Sequence, residues 1–193
     1  WICVDSRYLL QVNGRRIQWG PAPSDPRWQE ADPLDLTDAL HAGQNVLAAT
    51  VLFYGVGDGT WPAGQPGLLF WLDIEHADGR KETVASDASW RSLLAVAWRP
   101  GQYRRWYLRA LQEEFDARLY PFGWEDAGFA PGPDWLPAMV LDGPADKPSI
   151  CAGFPDYALD AGGDPGACFL RARQIPPLVE VDVPAARLAE SFR

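Results

Sequence analysis

The sequence is poor in the residues that build metal centres and basic surfaces. It has two lysines (Lys81 and Lys147) against 15 arginines, two histidines (His41 and His76) and one methionine, Met139. No His-x-His, Cys-x-x-Cys or His-Glu-x-x-His spacing occurs, which excludes the common zinc sites. No Gly-x-Ser-x-Gly elbow is present, so a hydrolase nucleophile of that type is absent. Gly55–Gly59 is glycine-rich but follows no parallel-sheet unit and opens no helix, so it is not a phosphate loop. No apolar run approaches the ~18 residues of a membrane-spanning helix. Acidic residues outnumber basic ones 26 to 17, a net charge of −9, which argues against a nucleic-acid partner. Three cysteines at long spacings, Cys3, Cys151 and Cys168, favour free thiols over a Cys151–Cys168 bridge and leave the compartment open. The Asp156, Asp160 and Asp164 region lacks the Asp-x-Asp-x-Asp-Gly pattern, so solvated turns are preferred to Ca²⁺. No metal and no cofactor is expected.

What is present describes a strand-and-turn protein. A chain of 193 residues can bury about 70% of its extended surface without staples. It carries 18 Gly, 18 Pro and 10 Trp. Tyr8–Val12 and Arg15–Trp19 flank Asn13-Gly14, the pair that tolerates φ > 0 at both centres of a hairpin turn. Residues 23–36 read as a polar Asp/Pro loop and Leu36–Leu40 as one helical turn closed by Gly43. The apolar run Asn45–Tyr54 suggests a strand buried on both faces. Leu68–Glu75, the Asp78-Gly79 turn and Glu82–Val84 form a second hairpin. Residues 111–119 alternate, placing Leu111, Glu113, Phe115, Ala117 and Leu119 on one face and Gln112, Glu114, Asp116 and Arg118 on the other. Leu136–Leu141 and parts of 169–183 read as extended. Short strands, frequent turns and almost no helical period predict an all-β sandwich. No repeat of 20–50 residues points to a propeller or solenoid.

The phrases Tyr8–Trp19, Gly20-Pro21-Ala22, Asp35-Leu36-Thr37, Gly43–Ala49, Ser86–Arg91, Glu113–Arg118, Gly123-Trp124 and Trp135–Ala138 occur in an order that resembles a known family. It is similar to the N-terminal β-sandwich region of bacterial α-L-rhamnosidases, the inverting enzymes of glycoside hydrolase family 78. The first part also resembles the jelly-roll sugar-binding domain of the β-galactosidase and β-glucuronidase clan. The Glu-x-aromatic-Asp-Ala-Arg run followed by Gly-Trp favours the rhamnosidase type, with Phe115 where the family has tyrosine. The resemblance implies a jelly-roll-like, galactose-binding-domain-like sandwich with long Gly/Pro/Asp-rich loops. It covers roughly residues 1–140. Residues 141–193, with Arg173–Leu178, look like a lead-in to a next domain. The leading strand expected before Trp1 is missing, which predicts an unpaired sheet edge. With Trp1 in place of an initiator methionine, the expectation is a fragment of a longer protein.

The family's catalytic carboxylates lie in an (α/α)₆ barrel. The resemblance therefore implies a non-catalytic piece of a hydrolase, with the catalytic domain of the same chain as partner. Rhamnose-containing glycans are the second expected partner, and a free-standing lectin-like module is the alternative. Glu114 and Asp116, on one strand face, fall near the 6.5–9.5 Å carboxylate spacing of inverting glycosidases, as any polar strand face does. Glu113, Glu114, Asp116 and Arg118 are therefore read as a structural ion-pair strand. Trp61, Trp98, Tyr103, Trp106, Tyr107 and Trp124 are the aromatic candidates, either for core and docking contacts or for stacking on sugar C–H faces.

Overall fold

The computed structural model describes residues 1–24, 29–53, 66–99, 113–141, 170–181 and 183–184. Among these the architecture is all-β, a sandwich of two antiparallel sheets. Strand β1 (Ile2–Asp5) pairs with β6 (Gly67–Glu75), which pairs with β7 (Lys81–Ala85). Opposite lies a sheet with β2 (Arg7–Val12) between β3 (Arg15–Gly20) and β5 (Leu47–Leu52). Period-2 alternation aims Ile2, Val4, Tyr8, Leu10, Val12 and Phe70 into one core, closed by Leu36. Each fully buried side chain of this kind contributes roughly 1.5–3 kcal/mol.

The Asn13-Gly14 hairpin forms as expected, with φ of 52° and 74° at its two centres. A bulge between Leu10 and Gln11 shifts the register from Leu10↔Gln18 to Gln11↔Arg16. Ile17 is the extra residue, and it packs against the core. The Asn13 carboxamide donates to Ala39 O and Asn45 Oδ1 and accepts from Val46 N, at 2.9, 2.9 and 2.8 Å. It thereby ties the hairpin tip to the 3₁₀ turn Thr37–Ala39 and to the start of β5.

Four expectations change. Burial on both faces belongs to β1, whose four residues are all buried, and not to β5. Among the described residues β5 pairs as a strand only with β2, and Val51 and Leu52 are exposed. Residues 113–119 are not an alternating strand: Phe115 makes a single bridge to Trp98, and Ala117–Leu119 wind into a 3₁₀ turn capped by Asp116. The Asp side chain competes for the backbone there, which a pattern of polarity alone does not register. Leu136–Leu141 shrinks to β9 (Leu136–Pro137), paired with β8 (Arg91–Ser92).

Lastly, the Asp/Pro loop hides a strand, β4 (Glu30–Ala31). Beyond it, Asp32 N and O exchange hydrogen bonds with Ile2 at 2.8 and 3.1 Å, so the outer edge of β1 is met there. Strand β10 (Arg171–Ala172) lies parallel to β4.

Candidate functional site

Two constellations stand out. The first is an aromatic ledge held by side-chain hydrogen bonds. Trp98 packs on Phe115 (4.9 Å between ring centroids) and edge-on to Tyr120 (5.6 Å). Tyr120 continues to Phe122 at 4.9 Å, and its hydroxyl accepts from the Trp124 indole at 2.8 Å. Trp124 packs on Trp135, and Trp135 on Phe129. Tyr120 meets Trp98 and Phe122, and Phe129 meets Trp135, edge to face, whereas the Trp98–Phe115 and Trp124–Trp135 pairs are tilted. Phe115 and Phe122 remain exposed.

Charged groups fix the ledge at one end. The Trp98 indole donates to Glu113 at 2.7 Å, so Glu113 faces outward with its acceptor engaged. Arg99 pairs with Glu114 at 3.2 Å. Asp116 Oδ1 accepts from the Arg118 backbone N–H and Nε, and Oδ2 from Nη2, at 3.1, 2.8 and 2.6 Å. The Arg118 contact holds the Asp116 carboxyl below the usual carboxylate range. The structure thus brings Trp98, Glu113, Glu114, Asp116, Arg118 and Trp124 to one region. Glu114 and Asp116 each answer to a different arginine. Trp61, Tyr103, Trp106 and Tyr107, like Cys151 and Cys168, lie outside the described residues. Among the described residues no group of three or more His, Cys, Asp or Glu could hold a metal ion.

The second constellation was not anticipated from the sequence. The Tyr8 hydroxyl donates to Asp32, and Arg173 pairs with the same carboxylate at 3.1 Å. Both side chains of that pair are almost fully buried, 5% exposed for Arg173 and 2% for Asp32. Gly20 is required beside them, because a Cβ there would collide with Asp32 Oδ2 and stand 2.8 Å from the Tyr8 ring. Burial and the Asp32 partner push the Tyr8 phenol far above its ordinary value. Burial, with Asp32 and Asp5 adding repulsion, pushes the Cys3 thiol up to about 12, so it is an inert core thiol. Two residues earlier on both segments, Arg171 pairs with Glu30 at 2.9 Å. The pattern Glu30-x-Asp32 facing Arg171-x-Arg173 was the available signal: alternate residues share a strand face.

The family model for the α-L-rhamnosidase N-terminal domain matches residues 1–153. An α-L-rhamnosidase of Streptomyces avermitilis is 30% identical over 136 residues, covering 63% of this chain and 12% of that protein. The crystal structure of a family GH78 rhamnosidase from a Bacillus species superposes with a TM-score of 0.69 at 31% identity, over 91% of this chain and 16% of the other. The chain therefore spans less than a fifth of either relative. The ordered phrases of the sequence, the two-sheet sandwich and this match agree, and the chain belongs to the α-L-rhamnosidase N-terminal domain family.

Proposed function

We propose that this chain is a non-catalytic accessory sandwich of an α-L-rhamnosidase-like glycoside hydrolase, and that it supports a catalytic domain of the same polypeptide. The observation that carries this reading is the state of its acidic candidates. Inverting hydrolysis needs one carboxyl free to give a proton and another free to activate water across a sugar cleft. Glu114 and Asp116 are exposed or half-exposed and bound to Arg99 and Arg118 instead. The division into a sandwich over 1–140 and a lead-in over 141–193 follows, with residues 171–173 of the lead-in seated back on the sandwich. Beyond them Leu178, Val179, Val181 and Val183 are 63–91% exposed, apolar surface of the kind that marks a protein contact.

The purified chain is expected to release no nitrophenol from aryl α-L-rhamnosides above the uncatalysed rate. Turnover lost in Glu114→Gln or Asp116→Asn would overturn the reading. Glycan contact is a second reading, favoured by the Trp98 indole that Glu113 orients beside exposed Phe115 and Phe122. Titration of rhamnose and rhamnosides against tryptophan fluorescence tests it. The docking role predicts no saturable change at millimolar sugar. A saturable shift lost in Trp98→Ala or Trp124→Ala would make the ledge a sugar platform.

A further inference from the structure

Residues 171–173 reach the sandwich across a long stretch of sequence, and their contacts are those of a bound peptide. The Arg171 and Arg173 backbone N–H groups donate to Gln29 O and Ala31 O, both at 2.9 Å, as an added parallel strand does. The Arg171 side chain, half-exposed, meets Glu30. The Arg173 side chain enters between Asp32 and the chain's own next turn, donating to Asp32 Oδ1, Ile175 O and Pro176 O at 3.1, 2.9 and 2.9 Å. These hydrogen bonds run to main chain, or to an acid placed at the matching alternate position.

We propose that the Gln29–Asp32 edge, with Glu30 and Asp32, is a receptor site for an extended arginine-x-arginine peptide, filled here in cis by Arg171-Ala172-Arg173. Main-chain bonds to the edge supply affinity, and the two acids supply specificity for guanidinium at alternate positions. Both acids are buried, but only the second guanidinium is buried with its acid, Arg171 staying half-exposed, so the second arginine is the discriminating one. The bound segment fixes where the chain leaves the sandwich, and Arg16–Glu180 at 2.7 Å steadies it further along. The site stands on these contacts whether or not a catalytic domain follows.

The test uses the whole chain with Arg171→Gln and Arg173→Gln together, and a labelled peptide of residues 170–181. The amides at positions 171 and 173 should exchange about a hundredfold faster than in the unaltered chain, while those of β2 remain the better protected. The emptied site should bind the peptide saturably. The unaltered chain should not, and neither should a peptide carrying glutamine at both arginine positions. Equal binding of the two peptides, or failure of the folded, emptied chain to bind, would each overturn the proposal. Should the double variant not fold, Arg171→Gln alone decides through exchange: faster at 171 and 173 only supports the site, and no change there refutes it.

Discussion

Arg173–Asp32 and Arg118–Asp116 are the same chemical pair in opposite surroundings. The second is the shorter, 2.6 against 3.1 Å, and makes more bonds within the pair. Its arginine is 88% exposed, whereas both partners of the first are nearly dry. In water the ions lose little hydration and gain little from each other. In the interior, removing one partner strands the other charge. Burial, and not distance, is therefore the expected guide to which pair matters more.

Breaking the buried pair should have the largest effect. Arg173→Ala is expected to cost about 3–5 kcal/mol in denaturant unfolding. A loss below about 1 kcal/mol would mean that water already reaches Asp32. Next, Tyr8→Phe removes the other donor to Asp32 and should cost about 1–3 kcal/mol. Because folding raises the Tyr8 value, the unfolded chain gives up this proton first. Its contribution is complete below the ordinary tyrosine value of about 10 and is lost as pH rises beyond it, a slope that Tyr8→Phe should flatten.

Asp5 sharpens the comparison as a buried acid with no arginine in the interactions described. Among the described residues its Oδ2 has no hydrogen-bond partner, and burial raises its value despite the bond from Ser6. Its contribution is full below the ordinary carboxylate value of about 3.9 and is lost as pH rises through the raised folded value. Asp5→Asn should therefore raise stability at neutral pH by about 1 kcal/mol, with the gain vanishing in acid. A destabilised variant at neutral pH would contradict that sign. The smallest effect is expected for Arg118→Ala, which should leave the melting midpoint unmoved. A resolved drop would remove the distinction between the two pairs.

The same contrast explains what could be read from sequence. Asn13-Gly14 announces its hairpin because the turn is local and its backbone demand is specific to those two residues. Tyr8, Leu10 and Val12 announce their face by alternation. Asp32 and Arg173 announce nothing alone: each is a charge in a polar stretch, and 141 residues separate them. A strand as short as Glu30–Ala31 has no period to detect, and its partner is chosen by the fold. At 113–119 the alternation was real, but among the described residues its pairing is confined to the bridge with Trp98, and Asp116 turned the chain beyond it. The aromatic ledge was legible as a surplus of rings. Its order, with Tyr120 joining Trp98 to Trp124, came from the structure.

The hairpin tip has a consequence for the chemical lifetime of the protein. Asparagine followed by glycine is the sequence most prone to deamidation, in which the glycine nitrogen attacks the side-chain carbonyl carbon and ammonia departs through a succinimide. The reaction needs a carboxamide free to turn back on its own chain. Here the Asn13 carboxamide is held by Ala39, Asn45 and Val46, and the backbone is locked in the left-handed region. The folded molecule thus shields its Asn-Gly pair, and ageing at Asn13 becomes a clock that runs only while the hairpin is open.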